Sequence, residues 1–169
     1  MTLLRVGDTE PRIRHPAWVP EPLQVLIGNR DTEHVLITVV RRERPAAEDF
    51  WDGNWLVTPI QLCAGRFSGE ISADLRTDEL RQFREALETL YGQRAGEAVL
   101  ESMEEWIRLT VAWDSLGALR VEGVASDRPG VGSELRFRLA GLDQSYLPAI
   151  IESLREVEHA YPVRSGRDS

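Results

Sequence analysis

Two carboxylates, two tryptophans, a glycine and an asparagine crowd the stretch Asp49-Phe50-Trp51-Asp52-Gly53-Asn54-Trp55-Leu56. At this spacing Asp49 and Asp52 could serve as a general acid and base, or hold a hard cation in an oxygen shell. The rings of Trp51 and Trp55 could stack on a ligand. A structural reading competes at every one of these positions. Asp and Asn side chains bond nearby backbone N–H groups in turns, Gly53-Asn54 is itself a turn signal, and paired tryptophans commonly plug the rim of a core. Other candidates for catalysis are sparse. His15, His34 and His159 lie far apart and lack metal-ligand spacing. Cys63, the only cysteine, sits in an apolar run with nothing to activate a thiolate, and reads as a small core residue. No P-loop, dinucleotide fingerprint or nucleophile elbow occurs. The residues therefore yield no assigned catalytic group, metal ligand or cofactor site.

The elements that must position the stretch follow from periodicity. Residues 1–22 hold Pro11, Pro16, Pro20 and Pro22, and read as an extended arm tethered by Trp18. Residues 23–163 read as one α+β domain, and 164–169 as a frayed, disordered tail. Strands are expected at 23–28 and 34–42, with a turn at Asn29-Arg30-Asp31. The motif then forms a loop leading into a strand over 55–64. Phe67, Gly69, Ile71, Ala73 and Leu75 alternate with Ser68, Glu70, Ser72 and Asp74, the pattern of one half-buried strand. A helix follows, capped by Thr77, with Asp78 and Glu79 at the positive end of its dipole and Gly92 at its close. Its stripe is Leu80, Phe83, Leu87, Leu90 and Tyr91. Residues 97–102 fit a strand or a helical turn. Further strands are expected at 106–113, 119–125 and 135–139, and a last helix at 145–161 with Pro148 in its first turn or so. The expectation is an antiparallel sheet of about six to eight strands with two amphipathic helices on one face, and two halves alike in outline.

Bulk properties narrow the function classes. The chain has 169 residues and a net charge of −8, its positive charge being entirely arginine. A length of this kind buries roughly two thirds of its unfolded surface, enough for a proper core. Phosphate backbones and anionic membranes draw on clustered cations, so nucleic-acid and membrane partners are disfavoured. One cysteine permits no intrachain disulfide, and the opening residues show no secretory signal, so a cytoplasmic location is expected. Glu97, Glu101, Glu104 and Glu105 fall within nine residues with no basic residue among them, and Glu85 and Glu88 of the helix could lie near. A solvated face is the ordinary meaning of such a run, and a docking patch for a basic protein is the functional one.

From Trp51-Asp52-Gly53-Asn54-Trp55-Leu56 onward the chain resembles the WapI-like immunity proteins of bacterial toxin systems, which carry an aromatic-Asp-x-Asn-Trp-Leu element. The likeness continues through Phe67 to Leu75 and Leu75-Arg76-Thr77-Asp78-Glu79-Leu80. It extends to Asp127-x-Pro129-Gly130, Leu135 to Leu139, Asp143-Gln144 and Tyr161-Pro162-Val163, covering about residues 23–163. The chain departs from the nearest pattern by its longer second half and its Pro-rich arm. The resemblance implies a non-enzymatic protein that binds and blocks a toxin domain, often a nuclease. It carries over no toxin-contacting residue, so Glu97, Glu101, Glu104, Glu105, Glu85 and Glu88 are selected as partner-binding by their acidity alone. Trp51, Asp52, Gly53, Asn54 and Trp55 are read as a structural motif. Two alternatives stand beside this: an interaction domain with no toxin partner, and a hydrolase or metal-binding protein using Asp49 and Asp52. The oligomeric state is open.

Overall fold

The computed structural model describes residues 21–114 and 116–166. Most of the Pro-rich arm, Trp18 and His15 lie outside the described residues. Among those described, eleven strands form three antiparallel sheets accompanied by two α-helices. The α+β class is as expected, but the strands are divided among three sheets, not gathered into one.

The first sheet, in order β1-β2-β5-β6, is built from β1 (Leu23–Gly28), β2 (His34–Val39), β5 (Ile60–Ala64) and β6 (Phe67–Ile71). Between β2 and β5 the chain leaves it to make β3 (Arg41–Arg42) and β4 (Trp55–Val57), which pair with β7 (Asp74–Arg76) in a small sheet of order β3-β4-β7. The expected strand over 55–64 is thus split, and Thr58 marks the split. Its backbone N–H and its hydroxyl both donate to the Ala73 carbonyl, and the hydroxyl accepts from the Leu75 N–H at 2.9 Å. The expected strand over 67–75 breaks at the same level. Alternation there misleads: Phe67 is 68% exposed in β6, whereas Ala73 and Leu75 are buried beyond the break. Two sheets therefore draw on one period-2 run.

α1 (Thr77–Gln93) follows β7 directly. Arg76, not Thr77, occupies its N-cap position, and the Glu79 carboxylate accepts the Arg76 N–H at 3.0 Å. The helix runs through Gly92 to Gln93 and is capped by Arg94, whose φ of 52° is left-handed and whose N–H donates to the Leu90 carbonyl. β8 (Glu97–Glu101), β9 (Ile107–Trp113), β10 (Leu119–Ser126) and β11 (Glu134–Leu139) form the third sheet as a meander, order β11-β10-β9-β8. Residues 97–101 are thus strand. A 3-10 turn at Gln144–Tyr146, capped by Asp143, leads into α2 (Leu147–Ala160) with Pro148 in its first turn.

Packing runs in a circle. β5 touches β11, β8 lies along α1, α1 packs on α2, and α2 returns to β1. Each helix therefore covers the sheet of the other half. Inside the circle, Val25, Ile37, Leu62, Leu109, Val121 and Phe137 of the sheets meet Phe83, Leu87, Ile150 and Leu154 of the helices in one hydrophobic cluster. Each fully buried side chain of this size contributes about 1.5–3 kcal/mol relative to exposure. Glu33 closes the join of the two large sheets, accepting from the Gly65 N–H at 2.9 Å and the Ala140 N–H at 2.7 Å. On the outer side of the helices Arg84 bonds Glu88 and Glu158, each at 2.8 Å, and Arg155 bonds Glu88 at 2.7 Å.

Phe83 is fully buried where α1 meets the core. Phe83→Ala is expected to cost about 3–5 kcal/mol of unfolding free energy, read from the midpoint and slope of a urea titration.

Candidate functional site

The motif loop is folded around its own backbone carbonyls. A loop of this length cannot pair them in a ladder, so each needs a donor from elsewhere. Three arginines and one asparagine supply them. Arg76, fully buried, donates from Nη1 to the Trp51 carbonyl at 2.9 Å, from Nη2 to the Phe50 carbonyl at 3.0 Å and from Nε to Asp78 at 3.1 Å. Arg42 of β3 donates to the carbonyls of Gly53 and Pro162. Arg164 donates to the carbonyls of Pro45, at 3.0 Å, and Ala47. Asn54, fully buried, donates to the carbonyls of Phe50 and Arg164, both at 2.8 Å, and its Oδ1 accepts from the Thr77 hydroxyl at 2.7 Å and the Arg164 N–H at 2.8 Å. The stretch beginning at Arg164 is thus tied down at its first residue, against the expectation of a free tail from 164. Burial and the nearby charge of Arg164 lower the Arg42 guanidinium from its ordinary value.

Aromatic rings complete the enclosure. The Arg76 guanidinium carbon lies 4.9 Å from the Phe50 ring centre, 5.2 Å from Trp55 and 5.7 Å from Trp51. A desolvated cation over ring faces gains about 2 kcal/mol per favourable pair. Gly53 is required by contact: a Cβ there would stand 2.5 Å from the Asp49 carbonyl oxygen and 2.6 Å from that of Ala47.

Of the two carboxylates, Asp49 holds the turn. Asp49 Oδ1 accepts the N–H groups of Trp51 at 2.9 Å and Asp52 at 2.8 Å. Donation from Asp52 above all, with that from Trp51, holds the Asp49 carboxyl below its ordinary value. Asp52 is half exposed and pairs with Arg44 at 2.6 Å. Among the described residues no group of three or more His, Cys, Asp or Glu is placed to hold a metal ion. His34 pairs across strands with Cys63, without a hydrogen bond at its buried Nδ1, and His159 sits in the last turn of α2.

The six glutamates selected by sequence do not form one patch. Glu97 and Glu101 of β8 stand on the open face of the third sheet. Register places them in rows with Ala112 and Arg120, and with Arg108, Val124 and Arg136. Glu101 pairs with Arg108 at 3.2 Å, and on the same face Glu122 pairs with Arg138 at 3.4 Å. The acidic run is thus laid beside arginines from strands distant in sequence. Glu85 lies near Arg81 and Arg84. At Glu88 burial raises the carboxyl, but hydrogen bonds from Arg155 and Arg84 outweigh it and hold the group below its ordinary value. Glu104 and Glu105 occupy the tight turn before β9, in which Glu104 accepts the Trp106 indole N–H at 3.3 Å and Glu105 adopts φ of 60°. The turn is tied to α1 by Glu79, which accepts the Met103 N–H at 2.7 Å. Burial raises the Glu79 carboxyl.

One acidic grouping was hidden from the sequence. In the small sheet Arg41, Val57 and Asp74 are cross-strand neighbours, as are Trp55 and Arg76, and Glu43 donates its N–H to the Trp55 carbonyl. Side chains alternate along a strand, so these residues share one face, opposite buried Arg42, Leu56 and Leu75. Burial first, then the charges of Glu43 and Glu104, push the Asp74 carboxyl up, with Arg41 the opposing influence. Carboxylates from three separate parts of the chain therefore lie close enough for Glu43 and Glu104 to act on Asp74. No window along the sequence could reveal it, because the pairing of the small sheet and the tie of the turn before β9 to Glu79 bring them together.

The family model of the immunity protein WapI-like family matches residues 25–162, a span that takes in all three sheets, both helices and the motif loop. No curated protein matches the chain.

Arg76→Met removes a buried cation from two carbonyls and Asp78, and is expected to destabilise the fold by about 3–5 kcal/mol in chemical denaturation. For Asp49 the folded value lies below the unfolded one, so its carboxylate stabilises fully above the unfolded value and loses that contribution as pH falls through the folded one. Melting temperatures of Asp49→Asn and the unaltered chain are therefore expected to converge below about pH 4 and to separate toward pH 7.

Proposed function

We propose, from the premise that this chain belongs to the immunity protein WapI-like family, that it binds and neutralises a cognate bacterial toxin domain, and that this toxin is a basic nuclease. The observation that carries the reading is the extent of the match, which leaves almost none of the described fold outside it. The geometry of the motif supports a binding role without chemistry. Asp49 is occupied by two backbone N–H groups and Asp52 by Arg44. Asn54 and Gly53 are sealed within the loop. Of the two carboxylates that invited an acid–base or metal reading, Asp49 is spent on holding a turn and Asp52 on a solvent-exposed ion pair.

Charge supports the nature of the partner. A nuclease needs a cationic cleft to hold its substrate, and a protein of net charge −8 is attracted to such a cleft over long range. The inhibitor acts by occupying the cleft in the cytoplasm, with no bond made or broken, and it binds neither nucleic acid nor membrane. No helix among the described residues is long and apolar enough to cross a bilayer. Of the glutamates selected by sequence, Glu104 and Glu105 are the ones we place at the interface. Glu97, Glu101, Glu85 and Glu88 contribute to the surrounding field from faces they share with arginines.

Co-expression with the toxin encoded beside its gene is expected to restore growth of the producing cell. The purified pair is expected to associate with a dissociation constant on the order of nanomolar, at a rate that falls steeply with added salt. Unchanged toxicity would rule the assignment out for that pair. Asp52→Asn is expected to retain neutralisation and to shift stability by no more than about 1 kcal/mol, because its ion pair is solvent-exposed.

A further inference from the structure

The outer face of the small sheet brings exposed aromatic surface together with carboxylates. Trp51 is 65% exposed and Met103 56% exposed, large for side chains of this type. Trp55 is half-buried with the Arg76 guanidinium carbon 5.2 Å from its ring centre, and Glu79 accepts both the Arg76 and the Met103 N–H, which brings Met103 beside this face. Tryptophan and methionine are the side chains enriched where protein partners dock, and they anchor best at the centre of a patch with charged groups at its edge. The edge here is Glu43, Asp74 and Glu104. Glu101, Glu122 and Glu88 elsewhere on the surface are matched by arginines within ion-pair distance. Glu43 and Glu104 both act on Asp74, and Arg41 is the opposing charge there.

We propose that this face, with Trp51 and Met103 at its centre and Glu43, Asp74 and Glu104 at its rim, is the docking surface for the cationic cleft of the cognate toxin. The inference rests on the immunity reading above and names the surface that performs it. Charge complementarity selects the occupant. A carboxylate crowded by two others while half-buried gains from any cation brought against it, and a second copy of this chain would bring the same negative face. A basic protein relieves the crowding, and its arginine or lysine stems lie well on indole faces. The loop beneath is held by Arg42, Arg76, Arg164 and Asn54, so the aromatic anchors meet their partner without ordering on arrival.

The test is titration of the full chain with the toxin domain encoded by the neighbouring gene, followed by calorimetry, with melting temperatures recorded for every variant. The double variant Glu43→Arg/Glu104→Arg is expected to weaken binding at least tenfold. Met103→Ala is expected to weaken it several-fold. The double variant Glu97→Arg/Glu101→Arg, on the open face of the third sheet, is expected to stay within about twofold of the unaltered chain. All three are expected to melt close to the unaltered chain, since every altered side chain is exposed. Hydrogen exchange of the complex reports the same face independently of any substitution. The surface is wrong, and the immunity reading untouched, if the unaltered chain binds tightly while the Glu43/Glu104 variant binds equally well, or if protection falls elsewhere. If the unaltered chain binds no toxin at all, both fail together.

Discussion

The enclosure of the Arg76 guanidinium is the constraint on which the motif loop depends. A buried cation without partners is not tolerated, so its three bonds and three ring faces must all be present at once. Satisfying them fixes the Phe50 and Trp51 carbonyls, the Asp78 carboxylate and the direction in which α1 leaves β7. Lysine could not do this, because one ammonium cannot present a planar fork to separate acceptors. In a chain whose positive charge is all arginine, three such forks are spent on the carbonyls of a single loop.

The rest of the fold provides a frame stiff enough to hold that enclosure. The circle of sheets and helices leaves β1 and β8 lying against helices, which protects two strands that would otherwise offer open edges. The small sheet hangs from this frame with one side in the core and the other in solvent. Buried Leu56 and Leu75 anchor its inner side, and the other side carries Trp55 and the enclosed Arg76 together with Arg41 and Asp74.

Much of the architecture was legible because helical and strand periods are local. The stripe from Leu80 to Leu90 and the alternation in β9 and β10 place those residues inside, as they are. What failed were inferences about partners. Thr77 is the right kind of residue to cap α1, but it spends its hydroxyl on Asn54, a bond between residues 23 positions apart. The run from Phe67 to Leu75 keeps one period while the chain moves between sheets, because nothing in a period says which sheet receives the strand. The glutamates from 97 to 105 form one acidic run in sequence, but in space Glu101 pairs with Arg108 while Glu104 and Glu105 lie apart in the turn before β9. The arginines that hold the motif gave a signal that went unread. Arg42 and Arg76 sit inside strand-forming runs, where a charge that is not solvated must be answered by acceptors.

Asn54 and Arg164 are 110 residues apart in the chain, and Arg42 reaches 120 residues to Pro162. Closing spans of that length carries an entropic cost that local elements do not, so these bonds form after sheets and helices have assembled. Bonds absent from the rate-limiting step of folding leave its speed alone and act instead on the way out, slowing the native state's escape. The fastening of the loop is therefore a device of endurance: it sets how long the molecule stays folded once made, more than how quickly it gets there.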